Sequence, residues 1–104
     1  MRRGEVWWAD FPPPKGRRPV LLVSRNRAYA VRESVTVAPL TTRVRGIPVE
    51  VTLGPDEGLP KSCVVNLDNL DTIEKRKLLA RVTVLTDVKM SEVDAAIRYA
   101  LGMD

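Results

Sequence analysis

A chain of 104 residues has the length of one domain (1–104), and its ordinary globular composition, 44% hydrophobic and 29% charged, excludes a multidomain enzyme, a disordered segment, a collagen or a coiled coil. The net charge of +4 is unevenly spread: residues 1–50 hold ten basic and four acidic side chains and residues 51–104 seven and nine, so the basic surplus lies in the first half and points to a localised anionic partner. There is no histidine and Cys63 is the lone cysteine, which excludes an intramolecular disulfide, a His-Cys zinc cluster and every catalytic scheme that uses imidazole.

Residues 4–11 (GEVWWADF) are rich in aromatic and β-branched side chains and run into Pro12-Pro13-Pro14, so they read as a strand that ends in a loop, 12–18. The apolar run 19–24 (PVLLVS) reads as a second strand covered on both faces. No period is visible in 25–34, and 35–40 (VTVAPL) reads as a third strand. A loop or hairpin tip at 41–48, with Arg43, Arg45, Gly46 and Pro48, leads to the alternating strand 49–53 (VEVTL). Turn formers fill 54–58, and 63–67, 71–73 and 81–85 supply three more short strands. At the end the period becomes helical: Val93, Ile97, Ala100 and Leu101 share a face, Ser91 and Asp94 resemble a capping-box start, and Gly102 stops the helix. Short strands with tight turns and one terminal helix indicate a small β-barrel with an appended α-helix.

No apolar run approaches the ~20 residues of a membrane span and residues 1–5 (MRRGE) lack the apolar stretch of a signal peptide, so no membrane contact and a cytoplasmic location are expected. The carboxylates show no metal-type spacing, so neither a metal nor a cofactor is expected. The functional signal is cationic: Lys15, Arg17 and Arg18 follow the first strand, and Arg43 and Arg45 follow the third. Arginine suits a phosphate backbone because its planar fork donates two parallel hydrogen bonds. Trp7, Trp8, Phe11 and Tyr29 offer faces for stacked bases; neighbouring strand residues face opposite ways, so one of Trp7 and Trp8 must point outward, and Phe11 beside the basic loop is the better stacking candidate. Cys63, with no histidine to activate it, reads as a small buried hydrophobe.

In order along the chain, GEVWWADF, Gly16 followed by RPVLLVS at 18–24, VTVAPLT at 35–41, GLPK at 58–61 and LDNLDTIEKRKL at 67–78, leading to a helix that ends Ala100-Leu101-Gly102, resemble the MazF/PemK family of toxin endoribonucleases. Each motif is weak alone, and the ordered set, which covers nearly the whole chain, is specific. The resemblance implies a mainly β fold, a small SH3-like barrel of the CcdB/MazF type with a C-terminal α-helix, forming a homodimer that is inhibited by a cognate antitoxin protein. It implies cleavage of single-stranded RNA without a metal, by attack of a ribose 2′-hydroxyl on the adjacent phosphate, leaving 2′,3′-cyclic phosphate and 5′-hydroxyl ends.

Carried over by position, Arg18 of the RPV element and Thr41 at the close of the third strand are the catalytic pair, Arg18 as stabiliser of charge on the phosphoryl oxygens and Thr41 as hydroxyl donor to them. A guanidinium is a poor general base, and the base is not assigned. The segments containing Phe11, Lys15 and Arg17, and Arg43, Arg45 and Ile47, correspond to RNA-groove segments of the family, and Asp68-Asn69 to an acidic-Gln pair that reads bases. Asn69 replaces that Gln, Asp71 stands where many members carry Arg and Cys63 where many carry Ser, departures that bear on which RNA is cut. Two other classes remain open: a CcdB-like toxin that binds gyrase, which the Arg18 and Thr41 match argues against, and a noncatalytic RNA-binding barrel.

Overall fold

The computed structural model describes residues 1–103. Along them run β1 (Glu5–Asp10), β2 (Arg17–Leu22), α1 (Ala28–Val31), β3 (Ser34–Thr41), β4 (Glu50–Leu53), β5 (Cys63–Asn66), β6 (Asp71–Glu74), β7 (Leu78–Val84) and α2 (Asp87–Ala100), with single 3-10 turns at Pro55–Glu57 and Lys75–Lys77. Every ladder is antiparallel. The order is β4-β5-β3-β2-β1-β7, with β6 also paired to β3. The expected small barrel is an antiparallel sheet that its hydrogen bonds do not fully close, with β4 and β7 at the two ends of the row.

Two prolines shape the centre of this sheet. The Phe11 amide donates to Gly16 at 3.0 Å, which makes alternate β1–β2 pairs the hydrogen-bonded ones and turns the nitrogen of Pro19, opposite Trp8, toward β3. Pro19 has no proton to give, and the β2–β3 ladder stops one pair short of it, at Val20–Pro39. Pro39 in turn faces its nitrogen to the other side of β3, where β6 pairs only with Ser34–Val37 and β5 only with Leu40–Thr41. The sheet forks at that proline.

The period-two pattern sorts the core into two clusters. Val6, Leu21, Ala38 and Leu40 join Val51, Val65 and Leu67 beneath Val93 and Ala96 of α2. On the other face Ala9, Val20, Leu22, Val35, Val37 and Ile73 pack with Tyr29 of α1. Val20, Leu21 and Leu22 are all buried, as expected of a strand covered on both faces, and each such side chain contributes about 1.5–3 kcal/mol by leaving water. Trp8 points outward while Trp7 is half-buried and donates its indole N–H to Glu5 at 2.9 Å, as alternation requires.

Three readings change. Residues 17 and 18 belong to β2 and not to the preceding loop, because Arg17 pairs with Asp10 and Arg18 with Ala9. The aperiodic stretch 25–34 contains α1, a single turn held by Tyr29, whose hydroxyl donates to the Ser24 carbonyl at 3.1 Å. Helix α2 starts a turn earlier than Ser91: Thr86 is the cap, its hydroxyl oxygen accepting from the Lys89 amide at 3.2 Å, and Asp94 pairs with Arg3 at 2.6 Å instead of capping. The stop is as expected, with Gly102 at φ +69° and the Met103 amide donating to Arg98 at 2.7 Å.

Candidate active site

A groove of about 940 Å³ lies over the fork. Its floor is apolar, from Val20, Val37 and Pro39. Lys15, Arg17 and Arg18 stand on the β1–β2 side, Arg43 and Arg45 on the β3–β4 connection, Asp68 and Asn69 on the turn that bridges β5 and β6, and Asp71 at the start of β6. Of the catalytic and RNA-binding residues expected from sequence, all line the groove except Ile47, whose carbonyl instead accepts the Glu50 amide at 3.0 Å to close the turn before β4; of the four aromatic stacking faces, Trp8 and Phe11 line it and Trp7 and Tyr29 do not.

Strand geometry brings the central pair together. The β2–β3 ladder ends at Val20–Pro39; by alternation Arg18 lies on the face of Val20 and Thr41 on that of Pro39, the same side of the sheet, and both line the groove. Arg18 is also held from its other side by the pair with Ala9. The Thr41 oxygen Oγ1 accepts the Arg43 amide at 3.1 Å, which leaves the hydroxyl proton for an acceptor in the groove. Nothing holds the Arg18 guanidinium in return: the four ion pairs among the described residues, Arg3–Asp94, Arg76–Glu74, Arg81–Glu5 and Lys89–Glu92, all lie outside the groove. Six cations outside these ion pairs, the five above and Lys61, surround an apolar floor and form a focused positive field that favours a polyanion.

Phe11 packs on the second core cluster, and the Lys15 ammonium sits 4.2 Å from its ring centre, so a base that stacks on the free face must displace Lys15. The bridging turn is built by Asn66, a buried amide whose Oδ1 accepts the Asp68 N–H at 2.9 Å. Cys63 is buried at the groove wall; burial pushes its thiol up, and Glu57 pushes it further, which keeps it protonated and unreactive at neutral pH. Among the described residues no three His, Cys, Asp or Glu side chains gather as metal ligands would, and no helix is long and apolar enough to cross a membrane.

Sequence reasoning passed over Lys61 as a groove cation, and Asn66 and Glu50 as the residues that shape its turns, whereas Trp8, one of the proposed stacking faces, does line the groove. The Asn-x-Asp-Asn pattern at 66–69 is a turn signal that was available for Asn66; Glu50 looks like any exposed strand residue until the loop it serves is seen.

These features can be set beside known proteins. A probable endoribonuclease, MazF5 of Mycobacterium tuberculosis, is 37% identical over 100 residues, which cover 95% of this chain and 91% of that protein. Among solved structures, the Mycobacterium tuberculosis toxin MazF-mt6 superposes with a TM-score of 0.88 at 32% identity, over 96% of this chain and 98% of that one. A mycobacterial endoribonuclease solved with its cognate antitoxin gives a TM-score of 0.89 at 33% identity, over 100% and 97%. The model of PemK-like, MazF-like toxins of type II toxin-antitoxin systems matches residues 2–101, nearly the whole chain, and the protein therefore belongs to that family of toxins.

Proposed function

We propose that the chain is the toxin of a type II toxin-antitoxin pair and a metal-independent endoribonuclease that cuts single-stranded RNA at a short sequence. The observation that carries this reading is that Arg18 and Thr41 lie on the same side of the sheet and line one groove whose cations take part in none of the ion pairs among the described residues. In the reaction the ribose 2′-oxygen attacks phosphorus, the bond from phosphorus to the 5′-oxygen breaks, the 2′-hydroxyl proton leaves to a base and the departing 5′-oxygen gains one. Products are a 2′,3′-cyclic phosphate and a 5′-hydroxyl. Arg18 and the Thr41 hydroxyl stabilise the charge that builds on the non-bridging oxygens, a contribution worth about 10²–10³ in rate per donor. Phe11, Lys15, Arg17, Arg43 and Arg45 hold the strand, and Asp68 and Asn69 face its bases.

Two partners accompany this reading. A cognate antitoxin protein inhibits the toxin, which the relative solved in complex with its antitoxin supports. The working form is a cytoplasmic homodimer: β7 ends the sheet with one side unpaired and carries exposed Leu79 and Val84, an apolar edge suited to a second copy.

Incubating the protein with a long unstructured RNA in EDTA and mapping the product ends tests the chemistry. Discrete cuts ending in 2′,3′-cyclic phosphate are expected. Arg18→Ala, at an exposed side chain with no partner, should lose ~100-fold or more in rate with stability within about 0.5 kcal/mol of wild type. RNA binding that weakens steeply with salt but yields no product would replace the nuclease by a noncatalytic binding barrel, and full cleavage by the folded variant would remove Arg18 from the site. Sedimentation as a monomer at micromolar concentration would overturn the dimer.

A further inference from the structure

Residues 42–49 carry two of the groove's guanidinium groups, yet they form neither helix nor strand. What shapes them is a carboxylate. Glu50, the first residue of β4, reaches back so that Oε1 accepts the Arg45 amide at 3.0 Å and the Gly46 amide at 2.9 Å, while Oε2 lies 3.3 Å from the Arg45 amide. Gly46 sits at φ +71°, and the left-handed kink turns these two successive N–H groups toward one point, a geometry that binds anions. The Arg43 amide is tied separately to Thr41, so the three amides at 43, 45 and 46 all end on side-chain oxygens. Glu50 is half-buried and belongs to none of the ion pairs among the described residues; its charge is spent on the backbone.

By charge alone, a carboxylate beside a groove for a polyanion should weaken binding. We infer that Glu50 is instead a positioning residue: by clamping the Arg45 and Gly46 amides it holds the guanidinium groups of Arg43 and Arg45 over the groove, so that removing this negative charge weakens the hold on RNA. The inference rests on the RNA reading of the same groove. The competing role has the opposite sign. If Glu50 only fills an anion nest that an RNA phosphate takes over, its removal strengthens binding.

The test uses the full chain as wild type, Glu50→Ala and Glu50→Gln, each with and without Arg43→Ala/Arg45→Ala. Binding is read by anisotropy of a fluorescent, fully 2′-O-methylated oligoribonucleotide across a salt series, and loop order by amide hydrogen exchange at Arg45 and Gly46 without RNA. Glu50→Ala is expected to lose protection at both amides and to bind about tenfold more weakly. Its log–log salt slope should be shallower by about one, since each lost contact of a single strand is worth about 0.7. Both effects on binding should vanish once Arg43 and Arg45 are gone. Glu50→Gln, which keeps the shape and one acceptor, should fall between, and it carries the test if Glu50→Ala does not fold. Equal or tighter RNA binding by the Glu50 variants, or an undiminished loss in the arginine-less background, overturns the inference while the RNA reading stands. A wild-type protein that binds no RNA overturns the RNA reading and this inference with it.

Discussion

Replacing Glu5 tests how β1 is held. Its side chain is only 7% exposed, and it accepts the Arg2 amide at 3.0 Å and the Trp7 indole at 2.9 Å on one oxygen and an Arg81 guanidinium nitrogen at 3.3 Å on the other. Burial alone would push the carboxyl up; the hydrogen bonds from Trp7, Arg2 and Arg81 outweigh it and hold the group below its ordinary value. A hydrogen bond to a charged group is worth about 1.5–3 kcal/mol, and the two short ones to Oε1 share one acceptor, so they do not add in full. Arg81 is 57% exposed, which reduces its pairing to about 0–1 kcal/mol. Glu5→Ala should therefore cost about 3 kcal/mol at pH 7, a fall of roughly 12–20 °C in Tm for a domain of this size. The sign with pH follows from the lowered value: the contribution is complete above the unfolded pKa of about 4.3 and is lost as pH falls through the lower folded one. Urea unfolding of wild type, Glu5→Ala and Glu5→Gln at pH 7, 5 and 3, at one protein concentration, reads both effects. A cost below about 1 kcal/mol at pH 7, or a gap between wild type and Glu5→Gln that does not shrink by pH 3, would refute the argument.

Other positions give sharper local tests. Gly58 has φ +85°, and a Cβ there would lie 2.9 Å from the Thr83 oxygen, whose hydroxyl is tied to the Glu57 carbonyl at 2.8 Å; Gly58→Ala should cost about 1–3 kcal/mol by thermal melting, less in a Thr83→Ala background, and an unchanged Tm would count against the contact. Thr86→Ala should remove about 1 kcal/mol with the loss of the α2 cap, and a Ser91→Ala control should not. The Cys63 thiol, buried and raised, should react with a disulfide reagent at neutral pH only as fast as the protein opens; rapid labelling of the native state would disprove its burial.

What was legible in the sequence was periodic. Val6, Leu21, Val51 and Val93 follow strand or helix spacing and lie in the core. The misplacements occur where a local signal competed with a partner far along the chain. Pro19 marks a strand start if strands need every N–H, yet its nitrogen faces β3 just beyond the end of that ladder, and pairing with β1 on the other side extends the strand to Arg17. Ser91 is an acceptable cap by type, but the helix is capped at Thr86, and the extra turn packs Met90 against the core cluster that holds Val93 and Ala96. Arg43, Arg45 and Ile47 are indistinguishable as neighbours in a loop, and it is Glu50, three residues beyond, that closes the turn at Ile47 and leaves the arginines at the groove. Such choices depend on hydrogen bonds between residues that no period links.

The same two prolines explain why the groove occupies the middle of the sheet and not an edge. Each withholds one N–H where a neighbouring strand would otherwise pair, Pro19 against β3 and Pro39 against the gap between β6 and β5, so β3 leaves β6 after Val37 and β2 after Pro39, just before Thr41. The backbone of those two residues stays fixed by strands on their outer sides, Ala9 for Arg18 and Val64 for Thr41. Their side chains are thereby held by sheet geometry without any side-chain partner that RNA would have to displace. Lys15, Arg43, Arg45, Asp68 and Asn69 sit instead on connections whose shape depends on a few hydrogen bonds, such as those of Glu50 and Asn66. Substitutions in these connections change what the groove recognises at little cost to the two core clusters, whereas moving Arg18 relative to Thr41 requires re-pairing β2 with β1. In the proposed reaction, the catalytic pair is thus tied to the fold, and the residues proposed to recognise RNA are not.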